Sequence, residues 1–334
     1  MNNLVTGGAG FIGTHLVRLL AGRGEGVRVM DLREPVEPIP DVEYLQGSIQ
    51  DRELLERAAA DCDRVYHLAA HAGLWTLNKR DFVDINVTGT RNALAAARAA
   101  GARCFVHTST ESVLLKARRG EPQVVDERTE IPFDELAGPY CTGKALAERA
   151  VFDAGRDDGI HVVVCNPTVP VGPGDPWLTP PTRMLLGFLQ RRFPAWLPTT
   201  LNVVDARDVA SGLWLAAERG RSGARYILGG RDLELGELLH RLEAISGVAM
   251  PRVRIPYPMA LAVAHVGEWV ADHVTRRPPA APVTGVRLAG VNARFDNRAT
   301  RAALGWDPRP LDESLTESLD DYRRRGLLAE AGAA

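Results

Sequence analysis

Cysteine and lysine are both scarce in this chain of 334 residues. Four cysteines are present, all far apart in the sequence: Cys62, Cys104, Cys141 and Cys165. They form no C-x-x-C pair, so neither a disulfide framework nor a zinc site is expected, and no metal ligand is assigned. Only three lysines occur beside many arginines, which draws attention to the lysine at position 144.

Strong charge imbalance and long apolar runs are also missing. The formal net charge is -2 and no block of basic residues occurs, so we expect no nucleic-acid partner. No stretch approaches the roughly 18 apolar residues of a spanning helix, so we expect no integral membrane segment. The sequence runs from Met1 almost directly into a strand-like run, so we expect a cytoplasmic protein. Because the charge is nearly balanced, we expect small molecules as its partners.

Short apolar runs alternate with helical patterns over the first two thirds of the chain, as in βαβ units. Strands are predicted at residues 3–7, 26–31, 64–69, 104–109 and 161–167. Helices are predicted near 13–22, 51–60, 81–100 and 140–157. The sequence therefore predicts an α/β fold with a doubly wound parallel sheet.

The amino-acid composition and its patterning change after residue 167. Residues 167–182 are rich in proline and glycine and are predicted to form a loop without regular structure. Strand and helix patterns return within 201–230. We therefore predict a first domain over 1–167 to which 201–230 return, and a smaller, discontinuous substrate-binding lobe made of 168–200 and 231–334.

Residues 259–274 form an apolar helical pattern with few charges, followed by a proline-rich breaker. We expect a buried helix of the smaller lobe. Two alternatives stay open, a lid over an apolar substrate and a surface that touches lipid.

The sequence "VTGGAGFIG", residues 5–13, follows the first strand and opens a helix. It fits a phosphate-binding glycine pattern in two registers, Gly8-x-Gly10-x-x-Gly13 and Gly7-x-x-Gly10-x-x-Gly13. Glycines let the backbone approach a pyrophosphate, whose charge lies at the helix N-terminus. Glycine-rich turns that serve only packing are the alternative, but the context predicts a Rossmann-type dinucleotide site.

Asp31 ends the second strand, 18 residues after Gly13, where an acid binds the ribose hydroxyls of a dinucleotide. Its charge repels a 2′-phosphate, so NAD is favoured over NADP. Arg33 could partly offset that repulsion, so NADP stays possible. A structural role for Asp31 in capping a turn is the alternative.

Tyr140 and Lys144 are four residues apart, which places both on one face of the predicted helix. A neighbouring ammonium stabilises a phenolate, so we expect Lys144 to bring the phenol pKa toward the working range. Three hydroxyl residues, 108–110, follow the fourth strand, whose end faces the ligand crevice of a parallel sheet. Either feature alone occurs by chance; together with the glycine loop and Asp31 they indicate an enzyme.

These motifs resemble the extended branch of the short-chain dehydrogenase/reductase superfamily, the NAD-dependent epimerase/dehydratase family. The motifs that carry the resemblance are T-G-G-x-G-F-I-G at 6–13, H-L-A-A at 67–70, "NVTGTRN" at 86–92 and Y-x-x-x-K at 140–144. Later segments, including "NPTVPVGPGD", are similar to dihydroflavonol reductases, 3β-hydroxysteroid dehydrogenases and hopanoid-associated epimerase-like proteins.

The resemblance implies roles for particular residues. Tyr140 would be the general acid/base, Lys144 its partner that also holds the nicotinamide ribose, and Thr110 the hydroxyl that orients the substrate oxygen. Asn86 would brace the neighbouring helix and strand. The residues that would bind the cofactor, besides Tyr140 and Lys144, are Gly7, Gly10, Phe11, Ile12, Gly13, Asp31, Arg33, Leu68, Ala69, Ala70, Pro167 and Thr168.

Departures from the family pattern narrow the reaction. Related dehydratases carry Thr-Asp-Glu where this chain has Thr110, Glu111 and Ser112, which disfavours dehydration and leaves Glu111 without a role. Related epimerases usually place arginine where this chain has Leu201, which favours a less charged substrate. Asn166 argues the other way, because it matches a residue that contacts sugar nucleotides.

Trp75 and Trp177 lie on predicted loops that could rim an apolar substrate, although both could simply pack those loops. We therefore predict an NAD(P)-dependent oxidoreductase that interconverts a secondary alcohol and a ketone on a mostly apolar molecule. A sugar or sugar-nucleotide epimerase with a transient keto intermediate is the alternative, followed by a non-catalytic dinucleotide sensor. By analogy with the family, a homodimer through helices 81–100 and 140–157 is expected.

Overall fold

The computed structural model describes residues 1–119, 122–157 and 159–328. The strands are β1 Asn2–Thr6, β2 Gly26–Asp31, β3 Val42–Gln46, β4 Arg64–His67, β5 Cys104–Thr108, β6 Gln123–Val125, β7 His161–Pro167, β8 Val169–Val171, β9 Ala195–Trp196, β10 Thr200–Asp205, β11 Ala224–Leu228, β12 Arg231–Glu234, β13 Val253–Arg254 and β14 Ala293–Phe295. The helices are α1 Phe11–Gly22, α2 Arg52–Ala59, α3 Asp81–Val83, α4 Gly89–Ala99, α5 Pro139–Asp157, α6 Pro180–Leu189, α7 Ala206–Arg219, α8 Leu235–Ser246, α9 Tyr257–Val270, α10 Val283–Ala289, α11 Arg298–Leu304 and α12 Leu311–Arg324.

The main sheet has seven strands in the order β11-β7-β5-β4-β1-β2-β3, and all neighbours run parallel. The chain builds outward from β1 to β3, then crosses to β4 on the other side of β1. The order thus reverses between β1 and β4, and ligands of open parallel sheets bind at the strand carboxyl ends at such a point. The predicted doubly wound α/β fold is confirmed.

Helices cover both faces of this sheet, which explains why its strands are apolar throughout. Successive residues of β1 enter opposite cores: Leu4 packs on the face of α2 and α4, and Val5 packs on the face of α1 and α7. Val65 and Tyr66 of β4 divide in the same way, and all four side chains are fully buried. Strands buried on both faces lack polar alternation.

A second apolar core lies outside the main sheet. β8, β10 and β12 form a three-stranded sheet, and its core gathers side chains from α6, α8 and α12. Within residues 201–230, β11 pairs with β7 in the main sheet and α7 packs on α1, but β10 belongs to the small sheet. The predicted domain boundaries stay a prediction, and residues 329–334 of the predicted lobe lie outside the described residues.

Three local expectations differ from the structure. β3 was not expected from the sequence. The loop predicted at 167–182 contains β8, because Val169–Val171 pair in register with β10, and α6 begins at Pro180. The apolar helix predicted to be buried is α9, and five of the larger apolar side chains in 259–274 are exposed. Among the described residues, no helix is long and apolar enough to cross a membrane.

Candidate active site

The loop after β1 forms one end of the site. Gly7 has a φ of +75°, and a Cβ there would lie 2.6 Å from the backbone nitrogen of Ala69. A Cβ on Gly13 would lie 2.1 Å from the carbonyl oxygen of Gly7. A Cβ on Gly10 would meet only that same oxygen, at 3.1 Å. The loop therefore packs tightly against the sheet and leaves open space beside Gly10.

Helix α1 begins immediately after this loop. Gly10 at its N-cap provides no side-chain hydrogen bond, and its first turn contains no acidic residue. Since the first N–H groups of a helix have no partner within it, those of Phe11, Ile12 and Gly13 can donate to an anion that the helix dipole also attracts. These residues fit the pyrophosphate of a dinucleotide.

Asp31 lies at the end of β2 beside the same loop. Its Oδ2 accepts the N–H of Ala9 at 3.1 Å, and its Oδ1 accepts the N–H of Arg33 at 3.1 Å. Burial raises the pKa of Asp31 above its ordinary value, and the two N–H donors oppose that rise. The carboxylate stands where ribose hydroxyls bind in dinucleotide folds. The choice between NAD and NADP stays a prediction.

Trp177 lies beside the glycine loop at the dinucleotide end, and its predicted place at the rim of the substrate space stays a prediction. Its indole N–H donates to the carbonyl oxygen of Ala9 at 2.9 Å. The Arg33 guanidinium lies over the indole ring, 4.4 Å from its centroid. Its loop is fixed by the fully buried Asp175, whose carboxylate accepts the N–H groups of Trp177 and Thr179. The loop after β8 therefore holds Trp177 on the glycine loop.

Residues 68–70 follow β4 at the point where the strand order reverses. The N–H of Ala69 donates to the hydroxyl of Thr6 at 3.4 Å. The N–H of His71 donates to Oδ1 of Asn86 at 2.7 Å, and Asn86 is almost fully buried in the π-helical turn before α4. Asn86 therefore ties the segment after β4 to the neighbouring helix.

Pro167 and Thr168 follow the buried core of β7 on the other side of the site. The Thr168 hydroxyl donates to Oδ1 of Asn202 at 2.8 Å, and the residue is 2% exposed. The hydroxyl hydrogen of Thr168 is therefore already used within the protein.

Tyr140 and Thr110 meet at the carboxyl end of the sheet. Tyr140 follows the first residue of α5 and is 9% exposed. Thr110 comes two residues after β5, and its side chain lies close enough to the Tyr140 phenol to lower the phenol pKa. Its hydroxyl also donates to Oε2 of Glu111 at 3.1 Å. The structure thus brings the proposed acid/base and the proposed orienting hydroxyl together.

Lys144 is buried one helical turn behind Tyr140. Its Nζ donates to the carbonyl oxygen of Thr108 at 2.8 Å. Burial lowers the pKa of Lys144 to about 8, against the opposing effect of the Glu148 carboxylate. The ammonium is therefore fixed to the end of β5.

The expected lowering of the Tyr140 pKa is wrong for the protein chain by itself. Burial raises the pKa of the phenol above its ordinary value, Cys141 and Glu111 act in the same direction, and only the nearby Thr110 side chain opposes them. The spacing of four residues does put Lys144 on the same helical face, but its ammonium donates to Thr108. The phenol is consequently protonated at neutral pH.

Glu148 and Arg225 extend the site and were missed by the sequence reasoning. The amide Nδ2 of Asn166 donates to the carbonyl oxygen of Thr110 and to Oε2 of Glu148, both at 3.0 Å. Arg225 donates to the other oxygen of Glu148. Asn166 is fully buried, so its amide braces Thr110 from behind rather than lining open space. Glu148 continues the spacing of Tyr140 and Lys144, a signal that could have revealed it.

Glu111 and Trp75 take positions that the sequence left open. Burial raises the pKa of Glu111 to about 7, and the hydroxyl of Thr110 opposes that rise by donating to it. Trp75 is 9% exposed and donates its indole N–H to Oδ1 of Asp272 at 2.9 Å. The residue before it, Leu74, packs in the apolar cluster around Tyr140.

The surroundings of Tyr140 are mainly apolar. The side chains of this cluster are Leu74, Phe82, Ala117, Ile131, Leu136, Ala137, Cys141, Ala145 and Leu288, with Tyr140 itself. All four cysteines of the chain are buried and unpaired. In the described parts of the chain, no group of three or more His, Cys, Asp or Glu side chains could hold a metal ion.

Residues 3–229 match the family model described as the NAD dependent epimerase/dehydratase family. This chain belongs to that family. It is 33% identical to the "Putative dihydroflavonol 4-reductase" of Synechocystis sp., covering 97% of this chain and 95% of that protein. It is 32% identical to a Stigmatella aurantiaca protein named "4-hydroxy-2-methyl-3-oxo-4-farnesyl-3,4-dihydroquinoline-1-oxide ketoreductase", covering 98% and 97% of the two chains. The crystal structure of gox2253 superposes with a TM-score of 0.82 at 31% identity, covering 98% and 99%.

Family membership confirms the resemblance seen in the sequence, and the protein is an enzyme of the NAD-dependent extended short-chain dehydrogenase/reductase class. The predicted cofactor class agrees with the family and with the glycine loop, the free start of α1 and Asp31. The roles assigned to individual residues stay predictions.

Proposed function

We propose that this enzyme reduces a ketone to a secondary alcohol on a mostly apolar small molecule, with NAD(H) or NADP(H) as cofactor, and catalyses the reverse oxidation. One observation carries the proposal: the hydroxyl groups of Tyr140 and Thr110 lie near each other at the carboxyl end of the sheet, and Tyr140 belongs to an apolar cluster. Such a pair can hold a carbonyl oxygen and give it a proton.

The nicotinamide, when bound, supplies the hydride to the carbonyl carbon. The Tyr140 hydroxyl donates its proton to the carbonyl oxygen as the alcohol forms, and takes it back in the oxidation. Thr110 orients that oxygen, while Asn166 keeps the Thr110 backbone in place. Lys144 holds a positive charge close behind the phenol when protonated. The raised pKa of Tyr140 keeps it in the donor form, which supports the reductive direction.

The apolar character of the substrate is inferred from the side chains near Tyr140. Leu74, Phe82 and Leu136 pack in its cluster, and the position where related epimerases have arginine is Leu201. The ketoreductase relative is named for a farnesyl-bearing ketone, and the Synechocystis relative is named as a reductase. Both names support a reductase, and the farnesyl group in the first supports a largely apolar substrate.

The first test replaces Tyr140 with phenylalanine, which keeps the ring that packs edge-on against Phe82. We expect turnover of apolar ketones, followed by nicotinamide absorbance, to fall by about 10²–10⁴-fold while the cofactor Kd stays unchanged. Tyr226→Phe is the matched control, because the Tyr226 hydroxyl accepts the Arg221 N–H away from the site. Wild-type turnover by Tyr140→Phe would refute the assignment.

An epimerase is the rival function, because the family includes epimerases. An epimerase returns the hydride within one turnover, so it gives product without net change in nicotinamide absorbance. Incubation with UDP-glucose and with apolar ketones, each followed by absorbance and by product analysis, distinguishes the two.

We further propose that the enzyme acts in the cytoplasm. We also propose that it forms a homodimer joined through residues 81–100 and 140–157, which analytical ultracentrifugation tests.

A further inference from the structure

Helix α9 presents its larger apolar side chains to the outside. Together with the π-helical turn Ala271–Thr275 that continues it, the helix exposes side chains on one stripe. These side chains, the outer face of α9, are Met259 58%, Val263 63%, Val266 66%, Trp269 59% and Val274 66% exposed. The opposite side packs on α10 through Ala264, with Ala260, Leu261 and Tyr257 partly buried beside it. A helix that only covers a core turns its larger apolar side chains inward and its polar side chains to solvent.

Both acidic residues of segment 257–275 turn inward. Glu268 accepts the N–H of Val283 at 2.8 Å and lies 3.5 Å from the Lys79 ammonium. Asp272 lies 3.2 Å from the same ammonium and accepts the indole N–H of Trp75. The outer face of α9 therefore carries no negative charge.

Two cations stand at the end of this face. Arg276 and Arg277 follow the π-helical turn directly and are exposed. Neither has an ion-pair partner among the residues that the structure describes. An apolar stripe that includes a tryptophan and ends in unpaired arginines matches a surface made of acyl chains below anionic headgroups.

We propose that the outer face of α9 docks on the surface of an anionic lipid bilayer, with the helix lying in the interface and Arg276 and Arg277 at the headgroups. A second copy of the chain fits less well. In a two-fold contact the same arginines would meet the same face, and the acids that could pair with them are bound to Lys79.

The docked helix would lie next to the candidate active site. Asp272 of its π-helical turn binds Trp75, and the preceding residue, Leu74, belongs to the apolar cluster of Tyr140. A Cβ on Gly285 of α10 would lie 3.2 Å from Leu74. An apolar substrate dissolved in the bilayer would thus be taken up close to the site. This link to substrate rests on the proposed function, whereas the docking itself does not.

The test is co-sedimentation of the full chain with vesicles of phosphatidylcholine alone and of phosphatidylcholine mixed with phosphatidylglycerol. We expect binding to the anionic vesicles and much weaker binding to the neutral ones. The double variant Val263→Asp, Val266→Asp should weaken binding at least about tenfold. Arg276→Gln and Arg277→Gln should each weaken it about fivefold, and added salt should reduce the difference from wild type.

Val124→Asp is the matched control, because Val124 is 75% exposed on β6, outside this face. It should bind vesicles like the wild type. All variants should keep the wild-type cofactor Kd and turnover of a water-soluble ketone. Absence of binding to either vesicle, or binding that the Asp variants leave unchanged, would overturn the proposal. A fall in mass from dimer to monomer in the Asp variants, without vesicle binding by the wild type, would assign the face to a second copy instead.

Failure of this proposal is distinct from failure of the proposed function. If the chain does not bind vesicles but still reduces ketones, only the lipid-docking proposal is refuted. If the wild type binds vesicles but the Tyr140→Phe variant keeps wild-type turnover, only the catalytic role of Tyr140 is refuted.

Discussion

The indole N–H of Trp177 donates to the carbonyl oxygen of Ala9 at 2.9 Å, which joins the loop after β8 to the glycine loop after β1. The two segments are 168 residues apart in sequence. Because Asp175 fixes the loop from within and Arg33 covers the indole, Trp177 holds the backbone that we predict to bind the pyrophosphate.

Trp177→Phe tests this connection. The change removes one hydrogen bond worth about 1 kcal/mol and keeps an aromatic ring for Arg33. We expect the Kd for NADH to rise by about fivefold, with kcat nearly unchanged, as measured by titration calorimetry and steady-state kinetics. Trp269→Phe is the control, since that tryptophan lies on the outer face of α9. An unchanged Kd in Trp177→Phe would remove the proposed role.

Asp31→Asn tests the choice of cofactor. The Asp31 carboxylate accepts hydrogen bonds from two backbone N–H groups. An amide keeps the size of this side chain but removes the charge that would repel a 2′-phosphate. We expect the Kd for NAD to rise and the Kd for NADP to fall or stay constant. Arg33→Leu should move the ratio of the two constants in the opposite direction. Equal losses for both cofactors in Asp31→Asn would contradict this role of Asp31.

Lys144 should make stability depend on pH in a defined direction. Its pKa is lowered to about 8 in the fold, so between pH 8 and about 10.5 the unfolded chain binds more protons than the native one. The free energy of unfolding should therefore rise with pH across that window, by up to about 3 kcal/mol. Below pH 8 the cost of the buried charge is fully present.

Lys144→Met should remove this rise and abolish turnover. Urea unfolding of both proteins without cofactor at a series of pH values isolates the contribution of Lys144 as the difference between them. Equal slopes for wild type and variant would show that the lysine does not titrate in this range.

Glu111 should control turnover near neutral pH. Its pKa is raised to about 7, and its ionised form accepts the hydroxyl hydrogen of Thr110, which is then no longer available to a substrate oxygen. We expect kcat/KM to fall as pH rises through about 7. Glu111→Gln should flatten this part of the pH profile and leave cofactor binding unchanged. A profile that keeps the same descending limb in Glu111→Gln would assign it to another group.

Local sequence patterns missed the edge strand β3 but predicted most of the main sheet. All five predicted strands occur in it, because strands buried on both faces leave a simple apolar signature between helical patterns. β8 was missed since Pro170 and the glycines that follow outweigh its valines, and its pairing with β10 is a long-range contact. The spacing of Tyr140 and Lys144 predicted a shared helical face but not the hydrogen-bond partner of Lys144 at Thr108.

The sequence by itself determined the dinucleotide fold, because glycine spacing, strand composition and a helical spacing of four residues act through neighbours in the chain. The tertiary structure alone decided that Trp177 lies on Ala9, that Asn166 braces Thr110, and that Asp272 binds Trp75. Each of these contacts joins residues far apart in sequence, so its geometry depends on how whole elements pack. The same packing buries Ala264 of α9 and leaves five of the larger apolar side chains in 259–274 exposed, which hydrophobicity along the chain does not encode.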